Sequence, residues 1–315
     1  MTKLIKIKGD ASFRTFFRKK DAHQTSIIVT AKKEKFKNLI VYDAINKILR
    51  KNKILAPRLY NENYDKNYIE IEDFGNKTVF KELSKKRKNK FIYFKKIIKL
   101  LVKIQSIKNR QIYTFKNKKY LIPNYEKRIL INEANLFCDW YVKNNSSKIN
   151  IKKFSKDFRK VIKKLSSRLI LKENVFVHRD FHVSNLMLIK KDIGVIDSQD
   201  ALVGNRAYDL ASLIDDVRLK TSKSLKKKIF DYYLKKQKKM NNSKFKNDFE
   251  ILSVMRNLKI IGIFTRLAIR DGKKDYLKLI PYTWKLISIR INENEVFKDL
   301  KKLLIQKFKK KLNEN

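Results

Sequence analysis

Cysteine is almost missing from this chain of 315 residues, with Cys138 alone. One thiol excludes an intramolecular disulfide and any zinc cluster built from several cysteines. Histidine is nearly as scarce, with three in all, which leaves little for a histidine-based metal centre. There are only six glycines and three prolines, so each is expected at a turn. No apolar run approaches the roughly 18 residues of a membrane-spanning helix. The opening stretch from Met1 to Lys8 lacks a signal peptide's apolar segment. These absences point to a soluble, cytoplasmic protein in a reducing compartment, with no membrane partner.

Acidic residues are also few, 31 against 78 Lys and Arg, giving a net charge of +47. Such a charge can mark an anion binder: nucleic acid, an anionic membrane face or a phosphorylated ligand. Here Lys, Asn and Ile are abundant while Gly, Pro and Ala are scarce, the pattern that A/T-rich codons produce. The lysines are scattered along helix-like segments, as on a solvated face. No helix-turn-helix, zinc-finger or aromatic-basic RNA motif is present, so nucleic acid is not the expected partner. The field would still attract any anionic substrate. With 43% hydrophobic and 11% aromatic residues, the chain can bury a substantial core. Its length suits one large domain or two lobes sharing a cleft.

Residues 3–31 hold short β-branched and aromatic runs. Phe13–Arg18 and Thr25–Thr30 read as strands, and the small-residue break Gly9-Asp10-Ala11-Ser12 precedes them. Val41, Ala44, Ile45, Ile48 and Leu49 recur at helical spacing and predict a helix over 34–51. Strands are expected at Arg58–Tyr60 and Tyr68–Glu72, with Gly75 closing a small β-rich region. Beyond it, helices are expected near 77–87, 91–108, 124–143, 154–170, 206–217, 224–238, 244–271, 273–289 and 293–312. They are interrupted by a strand at Val175–Val177 and a hairpin of Leu186–Ile189 and Ile193–Ile196. The expected fold is α+β, with a small β-rich N-terminal lobe over 1–75 and a larger helical C-terminal lobe over 76–315.

The strand and hairpin frame the segment that carries chemistry, His178-Arg179-Asp180-Phe181-His182-Val183-Ser184-Asn185, and Asp197 follows the hairpin. Phosphoryl transfer needs a carboxylate to orient and deprotonate the accepting hydroxyl, and oxygen ligands for Mg²⁺ bridging the nucleotide phosphates. Asp180, Asn185 five residues on and Asp197 twelve residues later supply that set, with the spacing of the H-R-D-L-x-x-x-N catalytic loop. Taken singly, Asp180 and Asp197 also suit turn or capping positions, and Asn185 can both brace the loop and bind metal. His178 is read as a structural hydrogen-bonding residue and His182 as a loop or pocket-rim residue. Asp200 and Asp209 either brace the loop or line the acceptor pocket.

Several segments together resemble the aminoglycoside phosphotransferase-like kinases, which share the protein-kinase fold. They are Gly9–Arg14 with Phe17-Arg18, Glu70–Gly75, Val177–Phe181 with Asn185-Leu186-Met187, Gly194–Ala201, Tyr208–Leu213, Ile261–Leu267 and Arg270–Lys273. The first and last are most similar to the bacterial anomeric N-acetylmuramate/N-acetylglucosamine kinases of cell-wall recycling. The resemblance implies a two-lobe ATP- and Mg²⁺-dependent sugar kinase, with Asp180 as catalytic base and Asn185 and Asp197 as metal ligands. It implies Gly9, Asp10, Ala11 and Ser12 over the ATP phosphates, and Glu72, Asp73 and Phe74 at the hinge where adenine docks. It implies a sugar pocket bordered by the helix bearing Tyr125, Arg128 and Glu133, with Asp200 beside it. The expected acceptor is the anomeric hydroxyl, which would return cell-wall sugar toward activated nucleotide sugars. An aminoglycoside, an amino alcohol or a protein is the alternative acceptor. A monomer is expected.

The chain departs from that family at three points. Ser198 stands where members usually have Phe, which should loosen the packing beneath the metal site. The phosphate loop has one glycine. No Val-Ala-Ile-Lys motif marks the phosphate-binding lysine, for which Lys32 is the candidate, with Glu34 as a weaker candidate for its partner.

Overall fold

In Thr25–Thr30 buried and less buried residues nearly alternate, with Ile27 and Val29 facing inward, as a strand covered on one face requires. The computed structural model describes residues 3–7, 14–22, 24–31, 37–85, 89–145, 150–171, 174–237 and 240–313. Its first strands and helices are β1 (Lys3–Ile7), β2 (Thr15–Lys20), β3 (Thr25–Thr30), α1 (Lys37–Lys51), β4 (Leu59–Asn63), β5 (Tyr68–Glu72), α2 (Val79–Ser84), α3 (Phe91–Gln105), β6 (Gln111–Tyr113) and β7 (Lys119–Leu121). Then come α4 (Lys127–Leu136), a π-helical turn (Phe137–Val142), α5 (Lys143–Asn145), α6 (Ile151–Ser167), β8 (Asn174–Val177), a 3₁₀ turn (Val183–Asn185), β9 (Leu186–Ile189), β10 (Asp192–Val195) and β11 (Leu202–Asn205). The chain closes with α7 (Ala207–Ile214), α8 (Lys223–Lys236), α9 (Asn242–Arg270), a 3₁₀ turn (Lys274–Leu279), α10 (Ile280–Glu293), a short turn (Glu295–Phe297) and α11 (Lys298–Asn313).

The chain divides into two compact units. The first comprises Met1–Asn124, Val175–Val203 and Lys223–Gln237, and the second Tyr125–Asn174, Gly204–Ser222 and Lys238–Asn315. In the first, five strands form an antiparallel sheet in the order β1-β2-β3-β5-β4. Ile27, Val29, Ile69 and Ile71 pack with Leu39 and Tyr42 of α1, so the helix covers one sheet face. The β9–β10 hairpin pairs Leu186 with Val195 and Ile189 with Asp192. It is stitched to the rest of the unit by two backbone bonds of 2.8 Å, Leu188 N to Lys77 O and Val195 N to Leu55 O.

The second unit is helical and built around α9, which is buried along most of its length. A Cβ at Gly262 would lie 2.3 Å from the backbone C and O of Leu136. Glycine therefore lets α9 cross the chain where α4 gives way to the π-helical turn. Phe137 and Tyr141 of that turn pack with Phe158, Trp284 and Phe308 in an aromatic core, ring centres 5.4–5.9 Å apart for the pairs with Phe137 and Trp284.

The expected helix over 124–143 is thus two pieces joined by a π-helical turn, and that over 273–289 is a 3₁₀ turn followed by α10, whose first turn carries Pro281. Strands β6, β7 and β11 were not anticipated: each is three or four residues long and lacks sustained alternation. Among the described residues no helix is long and apolar enough to cross a membrane.

Candidate active site

Strand β8 brings the buried run Val175-Phe176-Val177 up to His178, which is wholly buried. His178 donates from Nε2 to the Ile196 carbonyl at 3.2 Å, tying the loop to the strand-end after β10. Burial lowers its pKa to about 4, against the opposing pull of Asp180, the Ile196 bond and Asp200. It is neutral at pH 7 and a weak base, which fits the structural part read for it. Arg179 then adopts φ +73°, a left-handed conformation uncommon outside glycine. Its Nη1 donates to the Asp200 carbonyl at 3.1 Å.

Asp180 is half-buried. Its backbone carbonyl accepts from His182 N at 2.9 Å and from Asn185 Nδ2 at 3.1 Å. Asn185 therefore braces the Asp180 backbone with its N–H while keeping a side-chain oxygen suited to a hard cation. Ile196 N donates to the Asn185 carbonyl at 3.0 Å, so the 3₁₀ turn and the end of the hairpin are joined.

Asp197 follows, with φ +61°. Its Oδ1 meets Arg14 Nη2 at 3.3 Å. Burial raises its pKa to about 6; Arg14 opposes the shift, and Asp180 and Asp200 add to it. Ser198 is wholly buried and donates to Asn46 Oδ1 of α1 at 2.7 Å. That bond ties the residue after Asp197 to α1. Asp200 Oδ2 accepts from Gln199 Nε2 at 2.7 Å, one of the bracing parts the sequence left open for it.

In the segment expected to form the hinge, Asp73 is gripped by Arg18, with bonds of 2.5 and 3.0 Å, and accepts from Gly75 N at 2.8 Å. Gly75 takes φ +78°, where it ends the β-rich region. A Cβ on Gly194 would come within 2.8 Å of the Phe74 ring, so Phe74 packs directly on the hairpin backbone. Glu72 pairs its backbone N with Arg58 O at 2.8 Å. Gly9, Asp10, Ala11, Ser12, Lys32 and Glu34 lie outside the described residues.

Of the residues expected to border the acceptor, Tyr125, Arg128 and Glu133 belong to the second unit and Asp200 to the first. Tyr125 donates its hydroxyl to Glu133 Oε2 in a short bond. Glu133 Oε1 is paired with Lys259 Nζ at 2.9 Å, and Lys259 also donates to the Tyr208 hydroxyl at 3.4 Å. The Tyr125 and Tyr208 rings meet edge-on, with centroids 5.1 Å apart. Arg128 does not join this cluster: its side chain is exposed and reaches Glu126 at 3.9 Å. Sequence reasoning missed Lys259 and Tyr208. Lys259 sits just ahead of the Ile261–Leu267 segment, and Tyr208 was seen only as part of a motif. Asp209 is wholly buried at the start of α7.

Residues 3–241 match the model of the phosphotransferase enzyme family. The chain belongs to that family. This phosphotransferase is 27% identical over 282 residues to an N-acetylmuramate/N-acetylglucosamine kinase of Neisseria meningitidis, covering 87% of this chain and 81% of the relative. It is 24% identical to a kinase of the same name from Pseudomonas aeruginosa, covering 96% of this chain and 87% of the other. Among solved structures it is similar to a choline/ethanolamine kinase family protein from Mesorhizobium loti (TM-score 0.63, 12% identity, 96% of this chain and 92% of that one). It is also similar to an ethanolamine kinase of Plasmodium vivax (TM-score 0.62, 17% identity, 92% and 82%). These likenesses show the protein-kinase-like fold.

The donor set of this phosphotransferase suits a hard cation shared with phosphate. Asn185 and Asp197 offer oxygen only. Among the described residues no group of three or more His, Cys, Asp and Glu side chains forms a protein cage for a metal. Mg²⁺ in phosphoryl-transfer sites characteristically takes one or two protein oxygens and completes its shell with phosphates and water.

Proposed function

We propose that this phosphotransferase is an ATP- and Mg²⁺-dependent kinase that phosphorylates the anomeric hydroxyl of N-acetylmuramate and N-acetylglucosamine. The likeness to curated kinases of those sugars, which runs through both units, carries the reading. In this reading residues 1–75 form the nucleotide lobe and 76–315 the catalytic and substrate lobe. Gly9 to Ser12 cover the phosphates and the backbone of Glu72 to Phe74 receives adenine. Asn185 and Asp197 hold Mg²⁺, which when bound neutralises the phosphates.

Asp180 is the catalytic base. It orients the acceptor hydroxyl and takes its proton as the oxygen attacks the γ-phosphorus in line, the bond from that phosphorus to the β-phosphate oxygen breaking and ADP leaving. Asn185 fixes the Asp180 backbone, so base and metal ligand are set by the same short turn. Tyr125, Arg128, Glu133 and Asp200 are the residues assigned in this reading to binding the sugar.

The test is product analysis. After incubation with Mg-ATP and either sugar, ³¹P NMR should show a phosphate coupled to the C1 proton. Asp180→Asn should slow this turnover by ~10²–10⁴, the usual worth of a general base, while leaving ATP binding largely intact. A product phosphorylated elsewhere overturns the acceptor assignment, and near-normal turnover in Asp180→Asn overturns the base.

A further inference from the structure

Kinases of this fold commonly use a lysine on the third strand to hold the nucleotide phosphates, paired with an acidic residue on the following helix. Here β3 reads Thr-Ser-Ile-Ile-Val-Thr and has no cation. The described cations of β1 and β2 are committed or exposed. Arg18 is held by Asp73 at 2.5 Å. Lys19 lies 3.2 Å from Glu70 and from Asp21. Lys3, Lys6 and Lys20 are exposed.

Arg14, at the entry to β2, is placed differently. It is 6% exposed, a level of burial that charged residues reach only when paired. One arm, Nη2, meets Asp197 Oδ1 at 3.3 Å. The other, Nη1, donates to Asn38 Oδ1 at 2.8 Å. The guanidinium lies over the Tyr42 ring, 5.7 Å from its centroid. Asn38 and Tyr42 are four residues apart on α1 and so share one helix face. The helix therefore fixes this cation by a hydrogen bond and a ring, as an acidic helix residue fixes lysine elsewhere. The planar fork of an arginine fits phosphate as well as it fits a carboxylate.

We infer that Arg14 supplies the phosphate-binding cation of this kinase, with Asn38 and Tyr42 as its positioning residues on α1. The inference rests on the nucleotide reading above. Asp197 is the proposed ligand of the cation that bridges the phosphates, and an arginine in contact with it is within reach of the same phosphates. In the ligand-free chain Arg14 offsets the Asp197 charge; a metal held by Asp197 would take over that part and leave the guanidinium for phosphate oxygen.

The experiment compares binding of Mg-ATP, Mg-ADP and adenosine to the full chain, by calorimetry for the nucleotides and NMR for adenosine. The proteins are wild type, Arg14→Ala, Arg14→Lys, Asn38→Ala and Lys32→Ala. Loss of a charged hydrogen bond predicts at least a ~10-fold weaker affinity for Mg-ATP and Mg-ADP in Arg14→Ala, with adenosine affinity unchanged. Arg14→Lys should recover part of the loss. Asn38→Ala should show a smaller loss of the same kind, with the melting temperature and adenosine binding of the wild type. Equal losses for adenosine and nucleotides would mean a structural role and overturn the inference. So would a loss confined to Lys32→Ala. If Arg14→Ala does not fold, Arg14→Lys and Asn38→Ala decide, and wild-type nucleotide affinity in both overturns it. A wild type that binds adenosine but not Mg-ATP removes the nucleotide reading itself.

Discussion

Ser198 donates its hydroxyl to Asn46 Oδ1 at 2.7 Å, and both residues are buried. The bond joins the residue after Asp197 to the middle of α1, the helix that also carries Asn38 and Tyr42. The segment after β10 and the helix are thus coupled by a polar contact. Ser198→Ala leaves the Asn46 oxygen short of a donor and should destabilise the first unit by about 1–3 kcal/mol. Ser198→Phe should do worse, because a ring forced into a filled site displaces its neighbours. Thermal unfolding of both variants checks this, and a Tm equal to wild type for Ser198→Ala would mean the bond carries no stability.

Asp197 should be the dominant metal ligand. A carboxylate binds Mg²⁺ more strongly than an amide oxygen, so Asp197→Ala should weaken Mg-ADP binding more than Asn185→Ala does. The reverse order would exchange the two roles.

The same carboxylate predicts a pH dependence. Its pKa in the folded, metal-free protein is raised to about 6, chiefly by burial. As pH falls through 6 the group takes up a proton, which competes with the metal. The Mg-ADP dissociation constant should be flat above about pH 7 and should rise below 6, approaching ~10-fold per pH unit. The raised value also means that this group favours the metal-free fold more as pH falls from above 6 toward the usual carboxylate range. His178, at about 4, does not titrate in that window. Calorimetry from pH 5 to 8 checks the slope, which should vanish in Asp197→Asn.

Gly262 tests the core of the second unit. A methyl group there would sit 2.3 Å from the Leu136 backbone, which cannot rotate aside as a side chain would. Gly262→Ala should lower stability by about 1–3 kcal/mol or more, seen as a lower Tm. Wild-type stability would mean that α9 and the π-helical turn can part without penalty.

The proposed catalytic residues were legible because phosphoryl transfer calls for a carboxylate and oxygen ligands at short, fixed spacing. Asp180, Asn185 and Asp197 stand out by their spacing, and the β-rich start showed in the β-branched and aromatic runs of residues 13–30. The Arg14–Asp197 contact joins residues 183 apart in sequence and was invisible. Arg14 was seen only as part of a motif. The π-helical turn depends on how closely α9 approaches at Gly262, which no local pattern encodes. The Ser198–Asn46 bond was equally invisible, because its partners lie 152 residues apart. Arg128 shared a helix with Glu133 in the sequence reading, yet the cation that reaches Glu133 comes from α9, as Lys259.

The most direct measurement is ATP consumption with N-acetylmuramate and N-acetylglucosamine, each set against its 1-O-methyl glycoside. The methyl group removes the hydroxyl that Asp180 is proposed to deprotonate and adds bulk where the phosphoryl group must arrive. The account predicts turnover of both free sugars, N-acetylmuramate included despite its lactyl group, and none of either glycoside. Equal rates for a sugar and its glycoside would place transfer on another hydroxyl and contradict the anomeric assignment.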